Sequence, residues 1–250
     1  MNRPPLLIAG NWKMHKNIQE TREFLNRLLT LLRLPLNCEV AVFPPFTSLP
    51  AAAELLKDSQ IGYGAQNLHW EDAGAFTGEI APGFLSEIGC RYCLVGHSER
   101  RNLFGESDDI CNRKVKAALR HQLRPILCCG ETLEQRKQNQ TIEVIRRQLE
   151  KGLKGITTPD LEIAYEPVWA IGTGQNASPE QAEEVHHWIR LWLERRFGSQ
   201  AVQVRIIYGG SVKPDNALLL LARPDIDGLL VGGASLEVNS FAAIVNSCHK

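Results

Sequence analysis

The chain has 250 residues, 44% hydrophobic and 22% charged, with 28 basic and 28 acidic side chains that cancel to a formal net charge of zero. A chain of this length can bury enough surface to fold without a disulfide or metal staple, and it fits a single domain over residues 1–250. The charge balance excludes a cationic field for nucleic acid or for an anionic membrane, so any anion must be held by local groups.

The first segment, Met1-Asn2-Arg3-Pro4-Pro5, is followed by a short apolar run ending at Gly10. That is less than the roughly 7–15 apolar residues of a signal peptide. The longest aliphatic run, residues 217–222, is far short of the roughly 20 residues that cross a bilayer. Seven cysteines, an odd number in a long chain, predict reduced thiols and a cytoplasmic protein.

Along the chain, short apolar runs at 6–9, 39–43, 61–65, 92–95, 124–128, 161–165, 204–208 and 228–231 have strand length. Most are nearly continuous in apolar character, as strands buried on both faces are. Helical patterns lie between them. Ile18, Thr21, Leu25, Leu28 and Leu32 share one stripe, as do Ala182, Val185, Ile189 and Trp192, and Val238, Phe241, Val245 and Cys248. Ser178-Pro179-Glu180-Gln181 is a capping box with proline at the first helical position. The helices after the third and seventh strands, near 84–88 and 216–221, are short. Strict alternation of strand and helix demands a parallel sheet with helices outside. Eight such units in this length predict an α/β fold, a closed (β/α)8 barrel of eight parallel strands; an open doubly wound sheet is the competing arrangement.

Polar residues stand where these runs end: Asn11-Trp12-Lys13, Gly96-His97-Ser98-Glu99, Glu166-Pro167, Gly209-Gly210-Ser211 and Gly232-Gly233. In a parallel α/β fold the carboxyl ends of the strands share one face, where ligand sites form. Lys13, His97 and Glu166 can therefore meet. A carboxylate and an imidazole can move protons between neighbouring atoms. A lysine and an asparagine can stabilise a developing oxyanion. Glycine pairs let backbone N–H groups approach an anion. The set describes proton abstraction next to a carbonyl on a small phosphorylated substrate.

Eight segments, in order, carry a resemblance: Gly10-Asn11-Trp12-Lys13-Met14, Gly64-Ala65-Gln66-Asn67, Gly74-Ala75-Phe76-Thr77-Gly78-Glu79-Ile80, Val95-Gly96-His97-Ser98-Glu99-Arg100-Arg101, Cys129-Gly130-Glu131, residues 164–174, Tyr208-Gly209-Gly210-Ser211-Val212 and Val231-Gly232-Gly233-Ala234. Over essentially its whole length the sequence resembles the triosephosphate isomerase family, which implies the TIM-barrel fold and no cofactor or metal. It implies an aldose–ketose isomerase of glycolysis and gluconeogenesis that interconverts dihydroxyacetone phosphate and D-glyceraldehyde 3-phosphate through an enediolate. By the same resemblance Glu166 is the base, His97 the neutral electrophile, Lys13 the cation facing enediolate and phosphate, and Asn11 its hydrogen-bonding neighbour. Glu99 holds the network from behind, while Gly172, Ser211 and Gly233 supply amides for the phosphate and Gly232 supports the turn. Residues 167–177 would form a lid. The long segment 67–82, with Thr77 at its tip, would dock into a second copy and make a homodimer. Two departures stand out: Gln175-Asn176-Ala177 where the family often has Lys-Thr-Ala, and His15-Lys16 where a glycine often follows Met14.

Other signals have plainer readings. Cys90-x-x-Cys93 has no second pair at zinc spacing, and Cys93 lies inside an apolar run. His186-His187 reads as a half-exposed helix face, and Met14 as packing. Gly172-x-Gly174-x-x-Ala177 matches a dinucleotide fingerprint formally, with Glu194 as a ribose acid, but residues 167–169 intervene before it and the turn is not tight. Lys13 as a Schiff-base nucleophile would make an aldolase instead; a barrel retained only for binding would not need the full catalytic set.

Overall fold

Eight strands alternate with helices: β1 (Leu7–Asn11), β2 (Glu39–Phe43), β3 (Ile61–Ala65), β4 (Tyr92–Val95), β5 (Arg124–Cys129), β6 (Glu162–Tyr165), β7 (Ile206–Tyr208) and β8 (Gly228–Val231). In this computed structural model, which describes residues 3–170 and 177–249, all pairings are parallel, each strand bonds the next, and β8 returns to β1. The barrel is closed, not an open doubly wound sheet.

Around it run α1 (Ile18–Leu31), α2 (Leu49–Leu56), α3 (Pro82–Glu87), α4 (Ser98–Leu103), α5 (Asp108–Arg120), α6 (Leu133–Lys137), α7 (Thr141–Gly152), α8 (Pro179–Phe197), α9 (Ala217–Leu221) and α10 (Val238–Asn246). Local chemistry sets their starts. Asn17 with Glu20, Thr132 with Gln135, and Ser178 with Gln181 form capping boxes at α1, α6 and α8. The fourth and fifth units each carry two helices, because Ser107 and Thr132 cap segments that the apolar pattern alone does not separate. Of the expected α1 stripe, Thr21, Leu25, Leu28 and Leu32 are buried and Phe24 joins them, whereas Ile18 is exposed.

Alternation along each strand divides the core in two. Ile8, Val40, Val42, Val95, Ile163 and Val231 face outward into the large layer beneath the helices. Leu7, Ala9, Phe43, Leu94, Ile126, Ala164 and Leu230 face inward and fill the barrel. Strand ends differ from expectation by their bonding. β1 continues to Asn11, paired with Phe43, while β7 shrinks because the Arg205 and Ile206 amides donate to the carboxylates of Glu162 and Asp227. At the amino-terminal end the barrel is floored by a buried ionic cluster. Arg205 contacts Glu162 at 2.6 Å, Glu39 at 2.7 Å and the Tyr92 hydroxyl at 2.8 Å, and Arg124 reaches Glu162 at 2.6 Å. Among the described residues no helix is long and apolar enough to cross a membrane.

Candidate active site

The inward alternation of β1 and β6, continued past their ends, places Asn11 and Glu166 at the carboxyl-terminal mouth. Residue 130 supports Glu166 directly: a Cβ on Gly130 would stand 1.7 Å from the Glu166 carbonyl oxygen, so only glycine lets the two backbones meet. Glu166 itself is 1% exposed. Its Oε2 accepts from the Ser98 amide at 2.9 Å, and its Oε1 lies 3.3 Å from His97 Nε2 without a formal hydrogen bond.

His97 is the N-cap residue of α4, and its Nδ1 accepts from the Glu99 amide at 3.3 Å. With Nδ1 an acceptor, the ring proton belongs on Nε2, the atom turned toward Glu166. Lys13 follows β1 in a left-handed conformation, φ 52°. Its amide donates to Asn11 Oδ1 at 3.0 Å, and its Nζ contacts Glu99 Oε1 at 2.6 Å. The Gln66 side chain donates to the carbonyls of Lys13 and Phe43, both at 2.8 Å, and so fixes the Lys13 backbone from the end of β3.

Asn11, Lys13, His97 and Glu166 line a cavity of about 600 Å³ together with Gly209, Gly210, Ser211, Val212, Lys213, Gly232 and Gly233. Gly209 packs on the Glu166 side chain so closely that a Cβ there would lie 2.7 Å from Glu166 Cγ. Around Gly233 the space is open, with no protein atom within 4 Å of an added Cβ. Asn11, Lys13, His97, Glu166, Ser211, Gly232 and Gly233 are thus brought to one cavity. Glu99 stands on the far side of Lys13, in a second recess of about 210 Å³ lined also by Met14, Gln66, His97 and Phe104. Gly172, the bulk of the expected lid and the Gln175-Asn176 departure lie outside the described residues.

Two supports flank Glu166, of which a packed thiol near the site is what Cys128-Cys129 at a strand end already predicts. Cys128, fully buried inside the barrel, touches Glu166, and burial together with that carboxylate's charge holds its thiol well above the usual range. Buried Glu131 accepts from the Tyr165 hydroxyl at 3.1 Å, Trp169 Nε1 at 3.0 Å and Arg136 at 3.1 Å, tying down the segment that leaves Glu166. Glu131 stands in the sequence only as the end of Cys129-Gly130-Glu131, and nothing in one motif names partners from another. Gln66 was findable: counted from Gly62 and Gly64 it falls on the inward parity of β3. Two other readings change, while the plain reading of Cys90 and Cys93 stands. Met14 is 93% exposed, not packed. His186 is fully buried while His187 faces out to Asp225. Cys90 and Cys93 are both buried, and burial pushes the Cys90 thiol up to about 12.

A closed (β/α)8 barrel with a carboxylate, an imidazole and an ammonium at its carboxyl-terminal mouth defines a barrel enzyme suited to proton transfer on a small substrate. The family model described as triosephosphate isomerase matches residues 6–248. The chain belongs to the triosephosphate isomerase family. It is similar to the triosephosphate isomerase of Moorella thermoacetica, 53% identical over 253 residues that cover 98% of this chain and 99% of that protein. Those of Carboxydothermus hydrogenoformans (52%, covering 98% of both chains) and Finegoldia magna (49%, covering 98% and 99%) are comparably alike.

Proposed function

We propose that the cavity at the barrel mouth interconverts dihydroxyacetone phosphate and D-glyceraldehyde 3-phosphate by proton transfer through an enediolate, in glycolysis and gluconeogenesis. The observation that carries this reading is the juxtaposition of Glu166 Oε1 and His97 Nε2, 3.3 Å apart at the cavity wall with Lys13 opposite. Glu166 removes the proton from the carbon beside the carbonyl and returns it to the neighbouring carbon. His97, donating from Nε2, polarises the carbonyl oxygen and passes protons between the two oxygens. Lys13, held by Asn11 and Gln66, faces the enediolate and the phosphate. The amides at Ser211 and Gly233, with Gly232 at the turn, hold the phosphate; the open space beside Gly233 leaves room for it. Gly172 joins this set by resemblance. All these roles use protein groups alone, with neither metal nor cofactor.

The working unit in this reading is a homodimer. Residues 71–79 are all exposed, and the loop is closed at its base by the His69 amide on the Ile80 carbonyl at 2.8 Å. Exposed Met14, Phe76, Leu103 and Phe104 are large apolar groups that need a cover. The recess beside Glu99 and Lys13 suits the tip of a second copy's loop, with Thr77 entering it. Zero net charge fits a protein that binds neither nucleic acid nor membrane, and seven free thiols fit the reducing cytoplasm. The direct test is a coupled assay with D-glyceraldehyde 3-phosphate after exhaustive chelation. Isomerisation at undiminished rate supports the reading; no turnover, or turnover that returns only with added metal, overturns it.

A further inference from the structure

The paired register of β4 and β5 ends at Val95 and Leu127. One residue further on, a single side chain bridges the two strands. Arg101, in α4, donates from Nε to the Gly96 carbonyl at 2.8 Å and from Nη2 to the Cys128 carbonyl at 3.1 Å. Its Nη1 donates to Asp108 Oδ1 at 2.6 Å, in the first turn of α5. The side chain is only 12% exposed, so these bonds are largely shielded from water. A guanidinium is planar and rigid, and bonds from its separate nitrogens fix the spacing of the groups that accept them.

The two bridged carbonyls stand next to the groups that face each other at the barrel mouth. Gly96 directly precedes His97 and turns the chain in the left-handed region, φ 68°. A Cβ on Gly96 would lie 2.5 Å from Cys111 Sγ and 3.0 Å from Arg101 Nη2, so the guanidinium fits against the turn with no room to spare. Cys128 precedes Cys129, whose carbonyl accepts from the Glu166 amide at 2.8 Å. One arm of Arg101 thus leads to the imidazole and the other to the carboxylate.

We propose that Arg101 is a positioning residue that sets the separation of His97 Nε2 and Glu166 Oε1, 3.3 Å, by tying the end of β4 to the end of β5. The role rests on the reaction proposed for the cavity. Arg101 acts through backbone carbonyls and does not meet the substrate: it lines a separate recess of about 340 Å³, shared with Ser98, Gly130 and Glu166, and not the cavity at the mouth. A lysine at this position keeps the charge but brings one nitrogen where three are used. A residue that only stabilised the barrel would, when replaced, lower the melting midpoint and leave the site of the folded molecule unchanged.

The test makes Arg101→Lys and Arg101→Ala, each checked for folding by circular dichroism. It combines steady-state kinetics on D-glyceraldehyde 3-phosphate with proton–nitrogen correlation spectra of the histidine rings. Misplacement of a reacting group by about an ångström costs up to about 10²-fold in rate. Folded Arg101→Lys should therefore lose roughly ten- to a hundredfold in kcat, with KM changed much less. Its His97 ring resonances should move, while those of His186, buried under α8, stay in place. In Arg101→Ala the recess admits free guanidinium. Guanidinium chloride at tens of millimolar should restore kcat and the His97 resonances together, and sodium chloride at the same concentration should restore neither. A folded Arg101→Lys with parent-like kcat or unmoved His97 resonances would overturn the proposal, as would a folded Arg101→Ala that guanidinium does not rescue. Should the alanine variant not fold, Arg101→Lys decides alone. A parent without turnover would instead overturn the reaction read for the cavity, and the ring resonances would still report whether Arg101 sets the spacing.

Discussion

In the proposed reaction Glu166 combines two conditions that a base must meet: one oxygen anchored, on the Ser98 amide, and one facing the proposed proton carrier, His97. Its position depends on small neighbours. Gly209 lies against its Cγ, so Gly209→Ala must push the carboxylate aside, since the added methyl would stand 2.7 Å away. Displacement of a reacting group by a fraction of an ångström to one ångström costs up to about 10²-fold in rate. Steady-state kinetics should therefore show kcat lowered by roughly ten- to a hundredfold, with KM changed much less. A parent-like kcat would mean that Gly209 does not set the place of Glu166. His186 shows the limit of reading single residues. Its helix position reads as half-exposed, yet it is sealed between Tyr165 and Tyr208, with ring centroids 5.8 and 6.2 Å away, and is bonded through Nδ1 to the Asp225 carbonyl. The aromatic neighbours come from two other strands, so no local pattern announces them.

At the scale of elements, the apolar runs located all eight strands, because burial on both faces leaves a continuous signature. Their ends were less legible. The amino-terminal residues Glu39, Arg124, Glu162 and Arg205 look like polar boundaries one strand at a time, and become a floor only when four strands close. The loop between β3 and α3 was legible as an apolar segment in need of a cover, and it lies exposed in the single chain. Thr77→Arg would bring a cation toward Lys13 in the proposed dimer and desolvate it there, at a cost of several kcal/mol, on the order of 3–5. Analytical ultracentrifugation should show the variant as monomer, with activity falling in parallel. A variant that sediments as a fully active dimer, or a parent that is an active monomer, would contradict the dimer reading.

For the whole molecule, acid stability follows from the sealed helix face. Burial lowers the pKa of His186 from 6.5 to about 4. The unfolded chain therefore takes up this proton first. The stabilisation is fully present above pH 6.5 and is lost as pH falls toward 4, amounting to roughly 3 kcal/mol across that window. Denaturant titrations at several pH values should show a shallower acid limb for His186→Phe than for the parent. Parallel limbs would show that another group governs it. The floor and the mouth divide the barrel's charged groups between stability and chemistry: Arg205 and Glu162 close one end, while Lys13, His97 and Glu166 face the cavity at the other. In the proposed reaction the mouth depends on Glu166 as the group that carries the proton. The most direct measurement follows D-glyceraldehyde 3-phosphate by proton NMR in deuterated, chelator-containing buffer, with the parent and with Glu166→Gln. The parent should form dihydroxyacetone phosphate, and the variant, folded and still binding phosphate, should slow both isomerisation and carbon-bound exchange by about 10²–10⁴-fold or more. Turnover by the variant within about tenfold of the parent, well inside what loss of a positioned base costs, would contradict it.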